Sequence, residues 1–125
     1  MSVPDIGGTW ILYGKPQQEG QTGSGQVEVT IRQHGTDLTG HMVQKIDPWT
    51  QAPPADPEAT RASLIGRIYV SETQPATLIE IVRLNEQNDF KAIFTGIVSP
   101  DSREINGHVV NSRGNLGSIR MEKAT

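Results

Sequence analysis

The chain of 125 residues contains no cysteine. Disulfides and thiolate metal ligands are therefore excluded, and the fold must be held by burial and backbone pairing alone, which fits a reducing compartment. Aromatic residues are scarce, with two Trp, two Tyr and two Phe making up 5% of the sequence. The eleven Lys and Arg are spread singly and the formal net charge is −3, so no basic stripe exists to track a phosphate backbone and nucleic acid is not an expected partner. No apolar run approaches the length of a membrane span, and "MSVPDIGG" has neither a basic segment nor an apolar core of a secretory signal. The expectation is a cytoplasmic protein without membrane contact. Nor does an i, i+3, i+4, i+7 apolar stripe persist for three turns anywhere, which leaves no amphipathic helix to build on.

What the sequence does have is apolar residues at a period of two. In "GQVEVTIRQH" Val27, Val29 and Ile31 share one face while Gln26, Glu28, Thr30 and Arg32 share the other, the alternation of a strand buried on one side. "HGTDL" is a turn signal and "DLTGHMVQKI" a second strand, so residues 25–46 read as an antiparallel hairpin. Further strands are predicted over 61–71, 76–85, 89–98, 103–111 and 116–123; with "GTWILYG" in first place the count is eight. Eight strands joined mostly by short links favour a meander, and a meander removes its exposed edges by closing. The predicted fold is all-β, an eight-stranded antiparallel up-and-down β-barrel occupying 1–125 as one domain.

Glycine supports closure. "LTGHMV", "LIGRIYV", "FTGIV" and "INGHVV" repeat an apolar residue, a spacer and a glycine, placing Gly40, Gly66, Gly96 and Gly107 where strands must bend. Two connections are long: 15–25 is polar and glycine-rich, and 47–60 holds four of the eight prolines together with Trp49. A simple meander brings both to the same end, the expected mouth of the barrel.

"GTW" at the start of strand one, the hairpin "VEVTIRQHGTDLTGHM", the spaced strand glycines and an arginine in the final "GSIRMEK" resemble the calycin superfamily of lipocalin- and avidin-like barrels. The resemblance implies a Trp on the first strand that closes the barrel floor beneath an Arg or Lys of the last strand. The matching positions are Gly8, Trp10 and Arg120, given structural roles. A biotin-type pocket is disfavoured, because strands five to eight carry no tryptophan.

No nucleophile elbow, P-loop, dinucleotide fingerprint or zinc-protease motif is present. His34 falls at a turn, and His41 and His108 fall on solvent-facing parity, so neither a metal nor a cofactor is expected. Strand five, "LIEIVRLN", reads two ways: Leu78, Val82 and Leu84 inward bring Glu80 inside, whereas Ile79 and Ile81 inward bring Arg83 inside. Either choice sets a charge in or beside an apolar interior, where it is costly without a partner.

The predicted interior comprises Trp10, Leu12, Val27, Val29, Ile31, Leu38, Met42, Leu64, Ile68, Val70, Phe90, Phe94, Ile105, Val109, Ile119 and Met121. These are modest in bulk and leave room for a cavity that takes a small apolar molecule. Its candidate contacts are Trp49 on a lid formed by loop 47–60, with Tyr13, Gln33, Met42, Gln44, Tyr69, Glu80, Phe90 and Phe94. Whether such a site only binds or also acts is open, since a cofactor-free cyclase or isomerase needs little beyond orientation of its substrate. A third reading is a packed interaction module. Outward Ile65, Tyr69, Ile79, Ile81, Ile93, Ile97 and Val110, on strands four to seven, make an apolar patch for a homo-oligomer, in the simplest case a dimer.

Overall fold

Strict alternation over eight short segments leaves one economical arrangement, in which each strand pairs with its sequence neighbours and the last returns to the first. The computed structural model describes residues 3–16, 25–47, 50–71, 73 and 76–124. Within them lie β1 (Gly8–Pro16), β2 (Gly25–His34), β3 (Asp37–Ile46), β4 (Ala62–Val70), β5 (Thr77–Asn85), β6 (Lys91–Val98), β7 (Glu104–Asn111) and β8 (Leu116–Lys123). They form a closed antiparallel barrel in sequence order, sealed by pairing of β1 with β8. One 3-10 turn, Pro57–Thr60, ends the long connection before β4. Among the described residues no helix is long and apolar enough to cross a membrane.

The alternation appears directly in burial, most regularly along β6, where Ala92, Phe94, Gly96 and Val98 are buried and Lys91, Ile93, Thr95 and Ile97 are exposed. Every residue of the predicted interior faces inward, and Val70, Phe90 and Val109 are only partly buried at the margins of the core. Ile6, Ala62, Ile79, Ile81, Ala92 and Val98 join them. The two isoleucines of β5 correct the expected outward patch. Their cross-strand neighbours Phe94, Gly96 and Ile68 are interior positions, so the pleat turns Ile79 and Ile81 inside.

Two glycines are required by geometry. Gly8 has φ +126 where the chain turns from the barrel floor into β1. Gly40 has φ +155, and a Cβ there would fall on the carbonyl oxygen of Thr30 in the paired strand. The bending role expected for strand glycines is thus met by close backbone approach.

The floor is closed by the segment preceding β1. Trp10 and Ile6 are fully buried, and the Trp10 indole N–H donates to the carbonyl of Ile6 at 2.9 Å. Gln33 braces the same segment: its Oε1 accepts from the Ile6 amide at 2.8 Å, and its Nε2 donates to the carbonyls of Pro4 and Gly35 at 2.9 and 3.0 Å. The cation over the Trp10 ring is Lys123, with Nζ 5.9 Å from the ring centroid. Arg120 instead stacks on Tyr13 at 4.9 Å, on the outside of the barrel. Register explains the correction, because Lys123 is the β8 partner of Trp10 and Arg120 is the partner of Tyr13.

Candidate functional site

The pairing that sets Ile79 and Ile81 inside carries Arg83 inside as well, one pleat nearer the end opposite the floor. Its cross-strand partners there are Leu64 on β4 and Ala92 on β6. Both point inward, and the small Ala92 side chain leaves space for a long one. Arg83 Nε donates to Asn85 Oδ1 at 3.0 Å, and Nη2 donates to the carbonyl of Thr60 at 3.3 Å. Both acceptors are neutral. The ion pairs among the described residues are Lys45–Glu28, Arg61–Glu58 and Arg120–Glu122, so Arg83 has no carboxylate there. Burial lowers its pKa from the ordinary guanidinium value, yet the group remains a cation at neutral pH.

Phe90, immediately before β6, has two cations near its ring. The guanidinium carbon of Arg83 lies 6.0 Å from its ring centroid and that of Arg113, on the β7–β8 turn, lies 5.4 Å away. The long connection is tied to the same rim. Thr60 Oγ1 accepts from the Gln44 amide at 2.9 Å and donates to the carbonyl of Pro57 at 2.5 Å, while the Gln44 amide group donates to the carbonyl of Ile46 at 2.6 Å. An inward cation, a second cation, an aromatic face and several amides therefore gather where β3, β4, β5 and β6 begin or end.

Of the sequence-predicted contacts, Gln44 and Phe90 lie at this mouth. Met42 and Phe94 are buried deeper, within the core cluster. Gln33 sits at the opposite end as the floor brace and is spent on backbone hydrogen bonds. Tyr13, Tyr69 and Glu80 are on the outer wall, because the pleat that takes Ile79 and Arg83 inside turns Glu80 out. Trp49 lies outside the described residues, and loop 47–60 is described only from Thr50 onward and at Asp47. Arg113, Asn85 and Thr60 carried no sequence signal of their own. Arg83 did, as one of the two inward readings of strand five, and register with β4 and β6 selects it.

The three outer-wall residues line a groove of about 830 Å³ running over β5, β6, β7 and β8, with Tyr69 at one end and Tyr13 with Arg120 at the other. Gly96 and Gly107 are paired directly at its base. A Cβ on Gly107 would fall on the carbonyl of Thr95, so the backbones approach each other with no side chain between. His108, exposed, also lines this groove. Among the described residues no three His, Cys, Asp or Glu gather to hold a metal ion.

No family model matches the chain, and no curated protein is similar to it in sequence. Among solved structures it is similar to a redesigned beta barrel, at a TM-score of 0.62 and 12% identity, covering 96% of this chain and 92% of that one. The likeness is one of fold: a closed eight-stranded antiparallel barrel.

Proposed function

We propose that this barrel binds a small, largely apolar molecule carrying one acidic group, held at the mouth with loop 47–60 as its lid. The observation that carries the reading is Arg83, a guanidinium turned into the barrel and given only neutral acceptors among the described residues. Removing a charge from water without an opposite charge is costly, and an anionic ligand offsets that cost while making charge-assisted hydrogen bonds. Phe90 supplies an apolar surface beside the cation, and Arg113, also close to the ring, adds positive potential. The Trp10–Lys123 stack at the floor supports placing the chain with the calycins within the same proposal. The absence of cysteine supports a reducing, cytoplasmic setting.

The test compares dodecanoate with dodecanol by isothermal titration. Wild-type protein binds the acid at least about ten-fold more tightly than the alcohol, the size expected of one charge-assisted contact. Arg83→Met abolishes that preference and leaves alcohol binding unchanged. Equal affinity of wild type and variant for the acid, or no binding of either compound to wild type, defeats the reading.

A further inference from the structure

The outer wall carries a second feature that ligand binding at the mouth does not use. Cross-strand register places Ile65, Val82, Ile93, Val110 and Leu116 in one continuous row across β4 to β8, each opposite the next. Four of the five are strongly exposed, Leu116 at 62% and Ile65 at 52%. The groove lies immediately alongside, one to two same-face positions toward the floor on the same strands. Its apolar lining includes the exposed Tyr69, Leu78 and Ile97, the last at 58%.

The row and the groove run in the same direction over the same strands, and only the distance along the strand separates them. A two-fold axis lying in the plane of this face, across the strands and between row and groove, exchanges one for the other. The geometry points to a homodimer in which the apolar row of each copy seats in the outer groove of its partner. This is the closed, isologous solution for a face that contains both a projection and its receptor.

Charge is compatible with this occupant. The row contains no ionisable residue. On the intervening Arg67–Glu80–Thr95–His108–Ser118 row, where the axis runs, Arg67 and Glu80 each meet their own copy with the opposite charge on the adjacent strand. Within the groove the acid Glu80 and the bases His108 and Arg120 are of mixed sign. Size is consistent with a weak pair. Five strands at about 4.8 Å spacing and three same-face rows cover roughly 500 Å² per copy with side-chain margins, near the lower limit for a specific interface. The dimer is therefore concentration-dependent, dissociating in the micromolar range.

Sedimentation velocity across roughly 1–500 µM tests it, with thermal melts as a folding control. Wild type shifts from monomer to dimer. Ile93→Asp in the row and Ile97→Lys in the groove each remain monomeric over the range with the melting temperature preserved, as both side chains face out. An equimolar mixture of the two variants recovers dimer, because one of its two seats pairs the new carboxylate with the new ammonium. Strictly monomeric wild type overturns the inference. So does a dimer that survives both substitutions, or a mixture that stays monomeric. Arg83→Met leaves the association constant unchanged, which separates this surface from the mouth.

Discussion

The two ends of the barrel are built from the same strands and treat polar groups in opposite ways. At the floor, Gln33 satisfies three backbone groups, the Trp10 indole has its acceptor, and Ile6 seals the space between them. At the mouth, Arg83 is turned inward among Leu64, Ala92 and Phe90 with two neutral acceptors for five guanidinium N–H groups. A buried polar group that is fully paired costs little, whereas an uncompensated charge subtracts from stability. The floor is thus arranged for stability. The mouth keeps a destabilising group that a partner molecule can compensate.

The largest expected effect that sharpens this contrast is at the floor. Trp10→Ala removes the largest buried side chain and an indole hydrogen bond, and is expected to lower unfolding free energy by about 3–5 kcal/mol in urea titration. Gln33→Leu comes next. It strands the Ile6 amide and the Pro4 carbonyl, with an expected loss of about 1–3 kcal/mol by the same measurement. Arg83→Met has the opposite sign, leaving stability unchanged or raising it by about 1 kcal/mol. A loss of stability comparable to that of Gln33→Leu would erase the distinction between the ends.

The smallest effect concerns acid. Asp101, in the β6–β7 turn on the floor side, accepts from Ser99 Oγ at 2.6 Å and from the Arg103 amide at 3.1 Å, and these bonds hold its pKa below the ordinary value. A depressed carboxylate stabilises the fold above its unfolded pKa of about 3.9 and loses that contribution as pH falls through the lower folded value. Asp101→Asn should therefore lower the melting temperature slightly at pH 7 and flatten the acid limb of the profile, the two proteins converging below about pH 4.

The barrel was legible in the sequence because period-two alternation fixes both strand identity and facing, and the short links of a meander leave few topologies. Strand boundaries agree to within two residues from β2 onward, as at 76–85 against Thr77–Asn85. The first strand runs two residues past the "GTWILYG" reading, to Pro16. Strand five resisted because Leu78, Ile79, Ile81 and Val82 are apolar on both faces. The pattern alone could not choose between Glu80 and Arg83, and register with β6 decided it. The last-strand cation was misplaced by three positions for a related reason. Family likeness supplied the type of contact, but only pairing of β8 with β1 selects Lys123 over Arg120. The outer groove had no one-dimensional trace beyond its glycines, because its shape arises where Gly96 meets Gly107 across two strands.

Closure of the barrel by β1 and β8 has a kinetic consequence. Seven of the eight ladders join consecutive strands, so their loop-closure entropy is small and each hairpin can form early. The eighth joins segments more than a hundred residues apart and gains its hydrogen bonds only once the others have curled the sheet. Trp10 and Lys123 sit on that seam. The floor stack is therefore a latch across the one seam whose closure spans nearly the whole chain.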